Sequence, residues 1–163
     1  MPNWVHNTLT VWGKPQDIAA FKLKASQDVP NEEPDPMNFH NLVPVPNELR
    51  TPSEARIKWE DDNWGCRGAC ECKVRPSNDD SEVNYTFDTA WNPPIRIFQR
   101  IAHAHPELLF LLNSGSGEAG LLLDVTIWGD HCDIQDYGWV TDAQMACTCG
   151  CFDKVRDIET KTK

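Results

Sequence analysis

No lysine or arginine occurs between Ile101 and Phe152, a stretch that holds seven acidic residues. The whole chain carries a formal charge of −10. A nucleic-acid binder neutralises phosphates with a basic footprint, and the lack of one argues against direct nucleic-acid contact. Also missing is any apolar run near the roughly 20 residues that span a bilayer. The start, MPNWVHNTLTVWG, has neither the basic residues nor the apolar stretch of a signal peptide. A cytoplasmic protein without a membrane partner is expected. Catalytic signatures are absent too. GSGEAG (115–120) lacks the lysine and the strand–loop–helix setting of a phosphate loop and reads as a hairpin turn. There is no serine nucleophile motif, and no pair of carboxylates has a spacing that serves general acid–base work. No catalytic residue is assigned, and a non-enzymatic protein is expected.

What is there suits a globular fold. The 163 residues are 40% hydrophobic and include seven tryptophans, enough to bury a core. NTLTVWG (7–13) alternates as a strand and ends at Gly13. After it, Pro15 suits a first helical turn, and Ile18, Phe21 and Ala25 recur at helical spacing over 15–25. Residues 27–53 hold six prolines, too many for a regular helix or a central strand. Within them FHNLVPVPNEL (39–49) is apolar, which predicts an ordered arm packed on the body, followed by a short helix near 53–60. ACECKVR (69–75) and EVNYTFDTA (82–90) read as strands joined by a polar turn. Ile95, Phe98 and Ile101 predict a helix over 94–104. ELLFLLN (107–113) and LLLDVTIWG (121–129) read as strands, and DHCDIQDYGW extends the sheet. The expected fold is α+β, a split β-α-β arrangement in which an antiparallel sheet carries two helices on one face. The expected organisation is a domain over 1–140 with an inserted arm at 27–62, and a Cys-containing C-terminal tail at 141–163.

Several stretches recur together: MPNW-HN-L-V-G at the start, FHNLVPVPNEL, NWG at 63–65, YTFDTAWNPP at 85–94, and GEAG followed by Gly129. In this order they resemble the YubB-like family of plasmid and phage accessory proteins, over about residues 1–138. The resemblance implies an Api-like, ferredoxin-like domain, a mobile-element origin, and genomic company among anti-restriction and other accessory genes. It implies no reaction and no iron–sulfur cluster. The chain departs from the family pattern at Val5, where a cysteine is usual, and at CRGACEC after NWG.

The CTCGC tail lies beyond the matching region, so the two cysteine knots, which hold six of the seven cysteines, are not implied by the resemblance. The odd number of cysteines and the expected cytoplasmic setting disfavour a disulfide framework. Cys66 and Cys70 have a zinc-compatible spacing, and Cys70 and Cys72 would share one face of a regular strand. Cys147, Cys149 and Cys151 repeat that pattern at the other end of the chain. One structural zinc site drawing on Cys66, Cys70, Cys72, Cys147, Cys149 and Cys151 is the sharpest reading, with His103, His105 and His131 as spare ligands. Reduced thiols, some of them buried, are the bland reading.

FDTAWNPP has a structural reading, with Trp91 packed in the core and Asp88 or Asn92 capping the next helix. Its other reading is a recognition edge presenting Asp88, Thr89 and Trp91. For the acidic residues the bland reading is solubility. The functional one is a surface that covers the basic face of a host protein, as a DNA mimic does in anti-restriction or anti-CRISPR inhibition. Asp61, Asp62, Asp79, Asp80, Glu82, Asp130, Asp133 and Asp136 are the candidates. The alternatives are sequestration of a small nucleotide signal by Arg96 and Arg100, one helical turn apart, and a zinc-dependent enzyme.

Overall fold

A computed structural model describes residues 3–26, 35–117 and 120–138, the side chain of Cys70 excepted. Alternation builds the first strand, β1 (Trp4–Trp12): Val5, Asn7, Leu9 and Val11 are buried on one face, and the residues that alternate with them point to the other. Gly13 ends it, and Pro15 opens α1 (Pro15–Ala25), whose Ile18, Phe21 and Ala25 are buried as their spacing predicts. Residues 35–63 hold a single turn α2 (Phe39–Leu42), a 3-10 turn (Asn47–Leu49) and α3 (Glu54–Asn63). Ser53 caps α3 by accepting from the Arg56 backbone N–H. Then come β2 (Ala69–Arg75), β3 (Glu82–Ala90), α4 (Ile95–Ala104), β4 (Leu109–Ser116), β5 (Leu121–Trp128) and β6 (His131–Asp136). The six strands form one antiparallel sheet in the order β2-β3-β1-β4-β5-β6.

Aromatic rings fix the helices to one face of this sheet. Phe21 of α1 meets Tyr85 and Phe110 edge-on, with centroids 6.2 and 5.8 Å away. Phe98 of α4 packs on Phe87 and Phe110, and Phe39 wedges against Phe98, Phe87 and Trp64. Met37, Leu42 and Val45 are buried beside them. The Trp64 indole N–H donates to the Val43 carbonyl at 2.9 Å, tying the end of α3 to that segment.

Asn7 is the one polar side chain on the buried stripe of β1. Its amide donates to the Val5 carbonyl at 2.9 Å, to Thr89 Oγ1 at 3.0 Å and to the Phe87 carbonyl at 3.4 Å. It accepts from Ser114 Oγ at 2.7 Å. Three strands are joined by one satisfied polar cluster, the condition under which a buried amide is tolerated. That cluster corrects the expected end of β4 at 113. Ser114 and Ser116 read as turn residues, yet both are buried within the strand, and Ser114 has Asn7 as its acceptor.

FDTAWNPP is corrected too. Trp91 is 49% exposed rather than packed in the core. It lies one residue beyond β3, where the alternation has ended, at φ 73°, and its N–H donates to the Asn3 carbonyl. Neither Asp88 nor Asn92 caps α4: its N-cap is Pro94, without a side-chain hydrogen bond. Thr89 orders the turn instead, donating to the Asn92 carbonyl at 2.9 Å, while Asp88 pairs with His6 Nδ1 across the sheet at 2.6 Å.

Candidate functional site

The acidic candidates fall into three places. Asp61 and Asp62 end α3. Asp79, Asp80 and Glu82 belong to the β2–β3 turn and the start of β3. Asp130, Asp133 and Asp136 lie along the β5–β6 turn and β6. The β2 and β6 edges are five strand spacings apart, roughly 24 Å, so the eight residues are not one patch.

Most of them also have partners within the chain. Asp61 pairs with Arg67 at 3.3 Å, and Asp62 pairs with Lys58 at 3.0 Å and Arg96 at 3.5 Å. The Lys58 contact holds the Asp62 carboxyl below its ordinary range. Asp79 accepts from the Ser81 hydroxyl at 2.6 Å and its N–H at 2.8 Å, and both bonds hold its carboxyl below the ordinary carboxylate range. Glu82 accepts from the Trp12 indole at 3.0 Å and from Ser77 at 2.9 Å. Asp130 contacts His103. Asp133 and Asp136 are exposed and take part in no ion pair among the described residues.

Between α4 and the β5–β6 hairpin runs a groove of about 690 Å³, with Asp62 and Asp130 among its lining residues. Arg96, Arg100 and His103 line it from successive turns of α4, while Ile97, Phe98, Ile101 and Ala102 fill the buried side of that helix. Val43 and Ile127 add apolar surface, and His131 also lines it from the start of β6. The Arg96–Arg100 spacing was legible in the sequence. The contribution of His131 was not, because it depends on the β5–β6 register, in which His131 sits opposite Trp128 and stacks on it at 5.1 Å. The His6–Asp88 pair likewise depends on the β1–β3 register and has no local sequence signal.

Cys66 is fully buried, and loss of solvation pushes its thiol up to about 12. Cys72 packs against the core, and burial pushes it up to about 12 as well. The regular strand on which Cys70 and Cys72 were expected is interrupted by a bulge. Cys70 sits opposite Asp88 and Lys73 opposite Thr86, so β2 has one residue more than β3 there, and Glu71 takes φ 52° to accommodate it. Cys147, Cys149 and Cys151 lie outside the described residues, as does the rest of the expected tail. Of the spare ligands, His103 contacts Asp130, and His105 pairs with Glu107 at 3.1 Å. Among the described residues, no three His, Cys, Asp or Glu side chains converge as a metal-binding group. No helix among them is long and apolar enough to cross a membrane.

No family model, curated protein or solved structure matches this chain.

Proposed function

We propose that this chain is a non-enzymatic binding protein that docks an acidic edge onto a basic surface of another protein. The carrying observation is the β5–β6 hairpin and its edge strand. There Asp130, Asp133 and Asp136 follow one another inside the Lys- and Arg-free stretch, and the last two have no cationic partner among the described residues. Unpaired like charges along an exposed edge raise the local negative potential and steer a basic partner into encounter. The fold reading that goes with this is a ferredoxin-like core, β1-α1-β2-β3-α4-β4, supported by its strand order β2-β3-β1-β4. In that reading β5 and β6 are added at the β4 edge, and the proline-rich arm 27–62 is an insertion between α1 and β2. The resemblance to YubB-like proteins supports a plasmid or phage accessory role in the host cytoplasm, with a host defence component as the partner. One structural zinc site drawing on the cysteine knots is part of this reading, and the zinc content of protein purified without chelator tests it.

The test is affinity capture from a host lysate, identification of the bound protein, and measurement of its binding to the purified chain at two ionic strengths. Exposed charges are screened beyond about 10 Å at 0.1 M salt, so association should slow at least tenfold between about 20 and about 150 mM salt. Reversing Asp133 and Asp136 to lysine should slow association by a similar factor and leave dissociation nearly unchanged. Affinity indifferent to both salt and reversal refutes the acidic edge as the contact.

A further inference from the structure

The groove beside α4 differs in charge from the rest of this acidic surface. Arg96 is neutralised by Asp62, and His103 faces Asp130. Arg100 has no such compensation. Its Nη1 donates to the neutral amide oxygen of Asn63, and it takes part in no ion pair among the described residues. Asn63 is itself held, because its Nδ2 donates to the Trp59 carbonyl at 2.7 Å. The guanidinium is thus set in place by an uncharged neighbour and keeps donors for a ligand. Arg96 stands one turn away on the same helix face, anchored through Nη1 to the Asp62 carbonyl at 3.4 Å.

We propose that this groove binds a small phosphorylated ligand of nucleotide size. Its phosphoryl group would lie against Arg100 with Arg96 alongside, and its body against Val43 and Ile127. A planar guanidinium fork matches phosphoryl oxygens two at a time, which a lysine does not. A volume of about 690 Å³ lies within the range of small-molecule sites and leaves room for a body beyond the phosphate. This inference rests on Arg100 and the groove, and stands or falls separately from the acidic edge on β6.

Calorimetric titration of the full chain with adenosine monophosphate, guanosine monophosphate, ribose 5-phosphate and inorganic phosphate tests it. At least one nucleoside monophosphate should bind below about 1 mM and about tenfold more tightly than inorganic phosphate. Arg100→Gln should weaken that binding about tenfold or more at an unchanged thermal midpoint, and Arg100→Lys by less. Lys22→Gln, on α1 and outside the groove, should leave it unchanged. Should Arg100→Gln unfold the chain, amide shifts of the wild-type protein decide, with ligand-dependent changes expected at Gln99, Arg100 and His131. The proposal is overturned if no probe binds below about 5 mM, if Arg100→Gln stays within twofold of wild type, or if the shifts cluster outside the groove.

Discussion

Replacing Asn7 by alanine should cost this protein about 3 kcal/mol. The side chain is 4% exposed, and it donates to Val5, Phe87 and Thr89 and accepts from Ser114. Each such bond contributes about 0.5–1.5 kcal/mol net. Thr89 Oγ1 keeps its bond to the Asn92 carbonyl when the amide is removed, so it is not stranded. The Ser114 hydroxyl is fully buried and loses its acceptor, and an unsatisfied buried hydroxyl costs about 1–3 kcal/mol. A loss of about 3 kcal/mol in a chain of this size lowers the thermal midpoint by roughly 6–12 °C. Urea unfolding followed by tryptophan fluorescence reads it. The double variant Asn7→Ala with Ser114→Ala is the discriminating measurement. With the hydroxyl gone there is nothing left to strand, so the double variant should be more stable than the sum of the two single losses predicts, by about 1 kcal/mol. A single-variant loss under about 0.5 kcal/mol, or strict additivity, refutes the claim that this cluster ties β1, β3 and β4 together.

Two more predictions follow from the site. The hydrogen bonds from Ser81 depress the Asp79 carboxyl in the folded state, so the stabilisation they give is present above the unfolded carboxylate pKa and is lost as pH falls through the lower folded value. Ser81→Ala should move the Asp79 titration upward in a carbon-detected NMR series, and an unmoved titration refutes the assignment of its cause. If the cysteine knots share an ion, protein purified without chelator should carry about one zinc per chain, and chelation should lower its thermal midpoint. Metal-free protein with the same midpoint before and after chelation sinks the zinc site.

Elements whose burial follows a local period could be read from the sequence, and those set by register or by a break in the period could not. The alternation of Leu9 and Val11 and the spacings Ile18–Phe21–Ala25 and Ile95–Phe98–Ile101 are repeats of two, three or four residues, and they place β1, α1 and α4 within a few positions of where they lie. Trp91 shows the opposite case. Its size suggests a core residue, but one step past the end of β3 the alternation no longer applies, and a left-handed backbone turns the ring out. The bulge at Glu71 likewise interrupts the two-residue repeat of β2, and no local spacing in the sequence signals it. At the groove, the i, i+4 spacing of Arg96 and Arg100 is a property of one helix and was visible. Which of the two keeps an uncompensated charge is decided by α3, whose end brings a carboxylate to Arg96 and an amide to Arg100. Asp62 and Asn63 are adjacent in the chain, and only the packing of α3 against α4 sorts them. The difference between a neutralised arginine and one able to bind an anion therefore rests on a single residue step along α3. Asn63→Asp accordingly places a carboxylate against Arg100, which on this reasoning closes the groove to a phosphoryl group without altering any residue of α4.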